Sequence, residues 1–326
     1  MRAVYASFRP HSIDNSPQEW NHRHMRLSRW LTAVGTAIML TMPAVAADPA
    51  CGTHGTKDTM VVSTAWLADH ITSPEVVILA VGQKKDYDAG HIPGSVFLDM
   101  DTIATKNGEQ TLNYQVRPMA DLAKAFGNVG VSNSSHVVLY AMGNGWAATA
   151  RAYVTLEAMG LGAKASMADG GLATWQDEHR AVNTDVPTPK AGKIQVCPQA
   201  DVIADLDLVK DSLKKPGVSI VDSRTPVFYK GEQSSGKHPG RIPGALNITF
   251  NTLVDEKGKL KADIGQMFSD AGVKKGDKVI TYCHIGQQAS LVYFVARYLG
   301  YDARMYDGSW DEWSSHAELP YEPEKK

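Results

Sequence analysis

Short runs of apolar residues alternate along the chain with longer stretches that have helical periodicity. Residues 76–81, 137–140, 218–221 and 279–282 are short, apolar and rich in β-branched side chains, which predicts buried strands. Residues 289–299 instead place apolar side chains at helical spacing, and Gly300 stands where a C-cap glycine belongs. This alternation predicts an α/β fold in which a parallel sheet is covered by helices on both faces.

The pattern occurs twice, because three landmarks recur in the same order. They are GHIPGS at 90–95 and GRIPGA at 240–245, VVLY at 137–140 and VITY at 279–282, and DGGLATW at 169–175 and DGSWDEW at 307–313. Ordered landmarks at nearly one spacing indicate a duplication. We therefore predict two tandem domains, at residues 60–186 and 198–322, joined by a linker at 187–197 that begins at a proline.

The N-terminal part of the chain has the pattern of a secretory signal. A basic stretch precedes an apolar run at residues 31–42, and Ala44 and Ala46 form a small-x-small cleavage site. The apolar run is too short to span a bilayer as a helix. We predict that residues 1–46 are a signal peptide, with Met25 as an alternative start, and that the mature protein is periplasmic or secreted.

Composition narrows the classes of partner. The chain has 43% hydrophobic residues, 21% charged residues and a net charge of −2, values of a soluble globular protein without a global field for nucleic acid. After removal of the signal no membrane association is expected, and we predict a monomer. Three cysteines remain, and in an oxidising compartment Cys51 and Cys197 could pair, although sequence alone does not test the geometry.

The third cysteine lies in a chemically significant position. Cys283 follows the strand predicted at 279–282 and precedes a predicted helix, so it lies at the carboxyl end of a strand, where ligands bind in open α/β sheets. Loop N–H groups and the helix dipole would stabilise a thiolate and lower the pKa of Cys283. Gly286 would let the loop curl without a clash. A lone cysteine is usually a small buried hydrophobe, but this setting favours a nucleophile.

With these residues in view, the chain from about residue 60 to 320 resembles the rhodanese superfamily in both repeats. The motifs at 90–95 and 240–245 are similar to its N-terminal signature, the motif at 307–313 is similar to its C-terminal signature, and Cys283 matches its catalytic cysteine. The resemblance implies a sulfurtransferase that moves sulfane sulfur from a small donor to a thiophilic acceptor such as cyanide or a thiol. Sulfur would travel as a Cys283 persulfide in two half-reactions. The first repeat has Ala141 at the matching position, so the resemblance implies an inactive first domain.

The resemblance also suggests substrate contacts. Arg224 matches the family's substrate-binding arginine, whose fork suits a sulfonate or carboxylate; the alternative is a structural pair with Asp222. His284, Gln287 and Gln288 could donate hydrogen bonds to the donor, with Gly286 in the same loop, although His284 could equally point into solvent. Residues 225–228 lack the second arginine common in mercaptopyruvate-using relatives, which tilts the donor toward thiosulfate. The sequence leaves that choice and the acceptor open.

Other functions fit less well. A cysteine phosphatase would need an arginine at position 289, which is Ala289, and a thioredoxin-like enzyme would need a second cysteine nearby. Cys283 and His284 alone do not supply the roughly four ligands of a zinc site, so we predict no metal and no cofactor. The alternative from another class is a non-enzymatic persulfide carrier that serves a dedicated partner. Trp310 and Trp313 are predicted to be core residues.

Overall fold

The computed structural model describes residues 54–106, 108–109 and 112–323. The predicted signal peptide and Cys51 lie outside these residues. The first domain has five strands, β1 to β5, at Val61–Val62, Val76–Val81, Val96–Phe97, His136–Ala141 and Ala165–Ala168. Its helices, α1 to α6, are Lys57–Met60, Thr64–His70, Lys84–Ala89, Met119–Asn128, Trp146–Ala158 and Gly171–Asp177.

The second domain repeats this plan. Its strands, β6 to β10, are Ile203–Ala204, Val218–Asp222, Leu246–Asn247, Lys278–Tyr282 and Asp302–Tyr306. Its helices, α7 to α11, are Leu206–Ser212, Pro226–Tyr229, Ile264–Asp270, Gln287–Tyr298 and Ser309–Ser315. Short 3₁₀ turns occur at Met100–Thr102, Gly162–Lys164 and Phe250–Thr252.

Each domain contains one parallel five-stranded sheet. The strand orders are β1-β5-β4-β2-β3 and β6-β10-β9-β7-β8, so the central strands occupy corresponding places. β2 and β4 are buried because their apolar side chains contact helices on both faces, as the continuous apolar runs predict. The predicted α/β architecture, with two tandem parallel sheets, is confirmed.

The two domains share one apolar core. All residues of α5 in the first domain are buried, and α10 of the second domain packs against that helix. The rings of Tyr153 and Phe294 meet edge to face at 4.8 Å between centroids. A helix that is buried on every side needs packing partners all round. For α5 the second domain supplies part of that cover.

A polar cluster accompanies this core. The buried Glu157 carboxylate accepts from the Tyr293 hydroxyl at 2.9 Å, and the His54 imidazole bridges Glu157 at 2.9 Å and Asp201 at 2.8 Å. Arg297 lies 3.7 Å from Glu157. The cluster joins α5, α10, the residues before β1 and those before β6.

The segment between the domains has no regular helix or strand from 178 to 202, the region of the predicted linker. Cys197 in this segment is disulfide-bonded, whereas Cys283 is a free thiol. Because Cys51 lies outside the described residues, its pairing with Cys197 stays a prediction. No helix in the described part of the chain is long and apolar enough to cross a membrane.

Candidate active site

Cys283 lies between the carboxyl end of β9 and the first turn of α10, as its sequence position predicts. Only 1% of the residue is exposed. Helix α10 begins at Gln287, two residues before the predicted start, because Gly286 serves as its N-cap in a left-handed conformation. Residues 283–286 therefore form a tight loop at the helix N-terminus.

Backbone N–H groups surround the sulfur of Cys283. Burial raises the pKa of the Cys283 thiol above its usual value, while the N–H groups of Ala289, Ile285, Gln288 and Gly286 act in the opposite direction. The predicted N–H cradle is present, but the predicted lowering of the pKa is wrong. Complete burial destabilises the thiolate more than the four N–H donors stabilise it. The cradle is therefore suited to a negative sulfur that forms during reaction.

Gly286 is required where it stands. Its φ of 88° is in the left-handed region, which residues with a Cβ rarely adopt. A Cβ at this position would lie 3.0 Å from Arg151 Nη1 and 3.1 Å from the Asp307 carbonyl oxygen. Gly286 thus lets the catalytic loop approach a buried arginine of the first domain.

The C-terminal motif at 307–313 holds the catalytic loop in place. The Cys283 N–H donates to Ser309 Oγ at 3.2 Å, the Trp310 N–H donates to the Cys283 carbonyl at 3.0 Å, and the Asp311 N–H donates to the His284 carbonyl at 3.0 Å. Trp310 and Trp313 are completely buried, which confirms them as core residues. The motif thus fixes the position of the catalytic loop through these hydrogen bonds.

Sequence reasoning missed Ser309. Its φ is 53°, and the residue at the matching place of the first repeat, Gly171, has a φ of 48°. A serine rarely adopts this conformation, whereas glycine does so readily. The second repeat has a serine where the first has a glycine, and this difference was the available signal that the Ser309 hydroxyl makes a specific contact.

Arg224 is fully buried beside Asp222. Its Nε and Nη2 donate to the Asp222 carboxylate at 2.9 and 2.6 Å, its backbone N–H donates at 3.0 Å, and Nη2 also donates to the Gly240 carbonyl at 2.7 Å. The guanidinium lies over the Trp310 ring at 5.0 Å. Arg224 therefore makes the structural pair that was the alternative. Its contact with a donor stays a prediction.

His284 is half-buried and uncharged at neutral pH. Burial, and then the positive charge of Arg224, lower the pKa of His284 to about 4. The ring meets Phe228 edge to face at 4.7 Å, and Nδ1 hydrogen-bonds Ser235 Oγ. His284 can therefore donate or accept one hydrogen bond near Cys283 but supplies no charge.

Gln287 and Gln288 line a cleft between the domains. The cleft has a volume of about 900 Å³ and also borders Tyr114 and Phe250. The Oε1 atom of Gln288 is buried without a hydrogen-bond partner. Both amides thus lie next to the catalytic loop, and whether they contact substrate stays a prediction.

The first domain has the same strand arrangement without the chemistry. Tyr140 pairs with Ala80 in the first sheet, and Tyr282 pairs with Asp222 in the second. Ala80 and Gly82 therefore replace Asp222 and Arg224, and Ala141 replaces Cys283. The first repeat has neither a cysteine nor an arginine at these positions.

Comparisons with known proteins agree with this geometry. The family model described as "Rhodanese-like domain" matches residues 63–178 and 205–316. A thiosulfate sulfurtransferase of Azotobacter vinelandii is 28% identical over 267 residues, covering 81% of this chain and 97% of the relative. A 3-mercaptopyruvate sulfurtransferase of Escherichia coli is 30% identical over 283 residues, covering 82% and 99%. The crystal structure of SseA from Escherichia coli, a 3-mercaptopyruvate sulfotransferase with the "Rhodanese" fold, superposes with a TM-score of 0.69 at 26% identity, covering 78% of this chain and 99% of that one.

Proposed function

Because the chain belongs to the rhodanese-like family and presents one free thiol inside a ring of N–H donors, we propose that it is a sulfurtransferase. It moves sulfane sulfur from thiosulfate or a related donor to a thiophilic acceptor such as cyanide or a thiol. The observation that carries the proposal is the placement of Cys283 between β9 and the N-terminus of α10. The same placement in the first domain holds Ala141, so one site per chain is expected.

The reaction follows from the loop. The Cys283 thiolate attacks the outer sulfur of thiosulfate, a new S–S bond forms, the donor's own S–S bond breaks, and sulfite leaves with that bond's electron pair. The terminal sulfur of the resulting persulfide carries the negative charge. The N–H groups of Ile285, Gly286, Gln288 and Ala289 surround the Cys283 sulfur to which this terminal sulfur is bonded, and they would stabilise the negative charge on the persulfide. Cyanide then attacks this terminal sulfur, thiocyanate leaves, and the Cys283 thiolate is restored.

Burial of Cys283 is compatible with this cycle. A thiol whose pKa is raised by burial stays protonated until a donor enters and its proton is lost to solvent or the donor. Transfer of sulfur moves the negative charge outward by one atom, onto a more polarisable terminus among the same donors. The cradle therefore supports the persulfide as an intermediate.

The thiol assignment is tested by mass spectrometry of the intact protein. With thiosulfate the protein should gain the mass of one sulfur atom, mapped to Cys283, and cyanide should remove it with release of thiocyanate and ping-pong kinetics. Cys283→Ser should fold and do neither. Full turnover by Cys283→Ser would contradict the proposal. A stoichiometric persulfide that no small acceptor discharges would favour the carrier function instead.

Export and a monomeric state complete the proposal. The signal pattern at residues 1–46 and the disulfide at Cys197 support a periplasmic or secreted protein. Among the described residues, the exposed large apolar side chains are Val182 and Val186, both between the domains, which supports a monomer. N-terminal sequencing of extracellular or periplasmic material should find Ala47 first, and a start within the first 30 residues of the sequence would contradict export. Light scattering should give the mass of one chain.

A further inference from the structure

A segment of the first domain, residues 113–116, lies against the motif that supports Cys283. The Val116 N–H donates to Asp307 Oδ2 at 2.8 Å, Gln115 Nε2 donates to the Asp307 carbonyl at 3.2 Å, and Asn113 Nδ2 lies 3.5 Å from Asp311 Oδ2. The domain without a nucleophile therefore touches the catalytic site directly.

Arg151 anchors this segment. Its side chain is completely buried, and Nη2 contacts the Asp307 carboxylate at 2.6 Å and donates to the Tyr114 carbonyl at 2.7 Å. Its guanidinium also lies 5.6 Å from the centre of the Tyr114 ring. Because Arg151 also packs against Gly286, a single buried cation fixes Tyr114 relative to the catalytic loop.

Tyr114 is held in an unusual conformation. Its φ is 61°, in the left-handed region that a bulky residue rarely occupies. Such outliers persist only where surrounding contacts enforce them, and they cluster at functional sites. Here Arg151 donates a hydrogen bond to the Tyr114 carbonyl, and the Tyr114 N–H donates to the Thr105 carbonyl at 3.2 Å.

Tyr114 lies beside the catalytic loop. It lines the cleft together with Phe250, Gln287 and Gln288, and the N–H of Gln288 is one of the donors around the Cys283 sulfur. Burial raises the pKa of Tyr114 to about 12, the positive charge of Arg151 lowers it, and the negative charges of Asp101 and of an ionised Cys283 add to the rise. The Tyr114 hydroxyl makes no hydrogen bond to any residue in the described ranges. It is therefore a protonated and unused donor at neutral pH.

The cations near Cys283 already have partners. Arg224 and Arg151 are each paired with an aspartate, His284 is neutral, and Lys84, which lines the same cleft, is paired with Asp88. Thiosulfate and mercaptopyruvate are both anions, so neutral hydrogen-bond donors can contribute to binding their negative charge. Besides the loop N–H groups, Tyr114 supplies such a donor from the opposite domain.

We propose that Tyr114 of the first domain is a specificity-determining residue whose hydroxyl donates a hydrogen bond to the anionic group of the sulfur donor at Cys283. The proposal rests on the proposed function in taking an anionic donor as the substrate. It gives the inactive domain a direct part in substrate choice.

The variant Tyr114→Phe removes this hydroxyl and keeps the ring and the backbone contact with Arg151. We expect kcat/KM for thiosulfate to fall about ten- to a hundred-fold, mainly through KM, the loss typical of a hydrogen bond to a charged group. Discharge of a preformed persulfide by cyanide should stay unchanged. The matched control is Tyr153→Phe, because Tyr153 is also a tyrosine at the domain interface whose hydroxyl has no hydrogen-bond partner.

A second measurement does not depend on the natural donor. Iodoacetate and iodoacetamide alkylate the same thiol, but only iodoacetate is an anion. The ratio of the iodoacetate rate to the iodoacetamide rate at Cys283 therefore reports on anion recognition. Tyr114→Phe should lower this ratio about tenfold, whereas Tyr153→Phe should not. If wild-type protein takes sulfur from no donor, the proposed function fails and the alkylation ratio alone decides the role of Tyr114. A ratio and a kcat/KM both within about twofold of wild type would overturn the role proposed for Tyr114.

Discussion

The pair formed by Asp222 and Arg224 gives the sharpest test of how the site is built. Both side chains are buried, and the Asp222 carboxylate accepts from Arg224 Nε, Nη2 and backbone N–H and from the Tyr282 hydroxyl at 2.8 Å. Arg224→Ala removes the two side-chain donors and the neutralising charge but leaves the carboxylate buried. Breaking a buried pair in this way costs about 3–5 kcal/mol of unfolding free energy. We expect a loss of that size in urea unfolding followed by circular dichroism.

A matched control separates the effect of burial on unfolding free energy from the effect of breaking any ion pair. Arg180 pairs with Glu178, also two residues away, at 2.8 Å, but both side chains are partly exposed. Arg180→Ala should therefore lose no more than about 1 kcal/mol. The double variant Asp222→Asn, Arg224→Met removes both buried charges and should recover much of the loss caused by Arg224→Ala. Equal, small losses for Arg224→Ala and Arg180→Ala would refute the structural role. Unchanged stability with a ten- to a hundred-fold loss in donor kcat/KM would instead support the donor contact predicted from sequence, since a hydrogen bond to a charged group is worth about that much.

Two further predictions concern pH. The Glu157 carboxylate raises the pKa of His54, so the stability that this contact contributes is complete below the ordinary histidine pKa and is lost as pH rises through the raised value. The melting temperature should therefore fall over that pH range. A fall in the wild-type protein no steeper than that in His54→Gln would contradict this role. Because burial lowers the pKa of His284 to about 4, this residue should add no inflection to the pH profile of kcat/KM between about pH 5.5 and 8. A profile whose inflection in that interval disappears in His284→Gln would show that the ring does titrate there.

Much of the fold could be predicted because its main signals are local. The strand at Val76–Val81 has the predicted bounds, and β9 begins one residue earlier than predicted, at Lys278. Apolar runs report strands that are buried on both faces, and the turn motifs report the repeat. The start of α10 was predicted two residues late, because the left-handed Gly286 allows the helix to begin directly after the catalytic loop.

The electrostatics of the site could not be predicted in the same way. The sequence shows that N–H donors follow Cys283, but the direction of its pKa depends on complete burial, which is a property of the packed molecule. For Arg224 the spacing allowed both a donor contact and a pair with Asp222, and only the geometry shows that the pair is made. Arg151 and Tyr114 are distant from Cys283 in sequence, and no motif connected them with it.

The first domain has no nucleophile, but its residues contact the catalytic site of the second domain. Helix α10 directly follows the loop that carries Cys283 and is buried from Ala289 to Ala296, and α5 of the first domain packs against it. Arg151, also on α5, is the salt-bridge partner of Asp307, whose backbone borders Gly286. A change of Cys to Ala in the first loop removes a reaction centre without touching these contacts. Removal of the whole domain would instead leave α10 uncovered and Asp307 unpaired. The first domain can therefore support the catalytic loop structurally although it has Ala141 in place of a nucleophile.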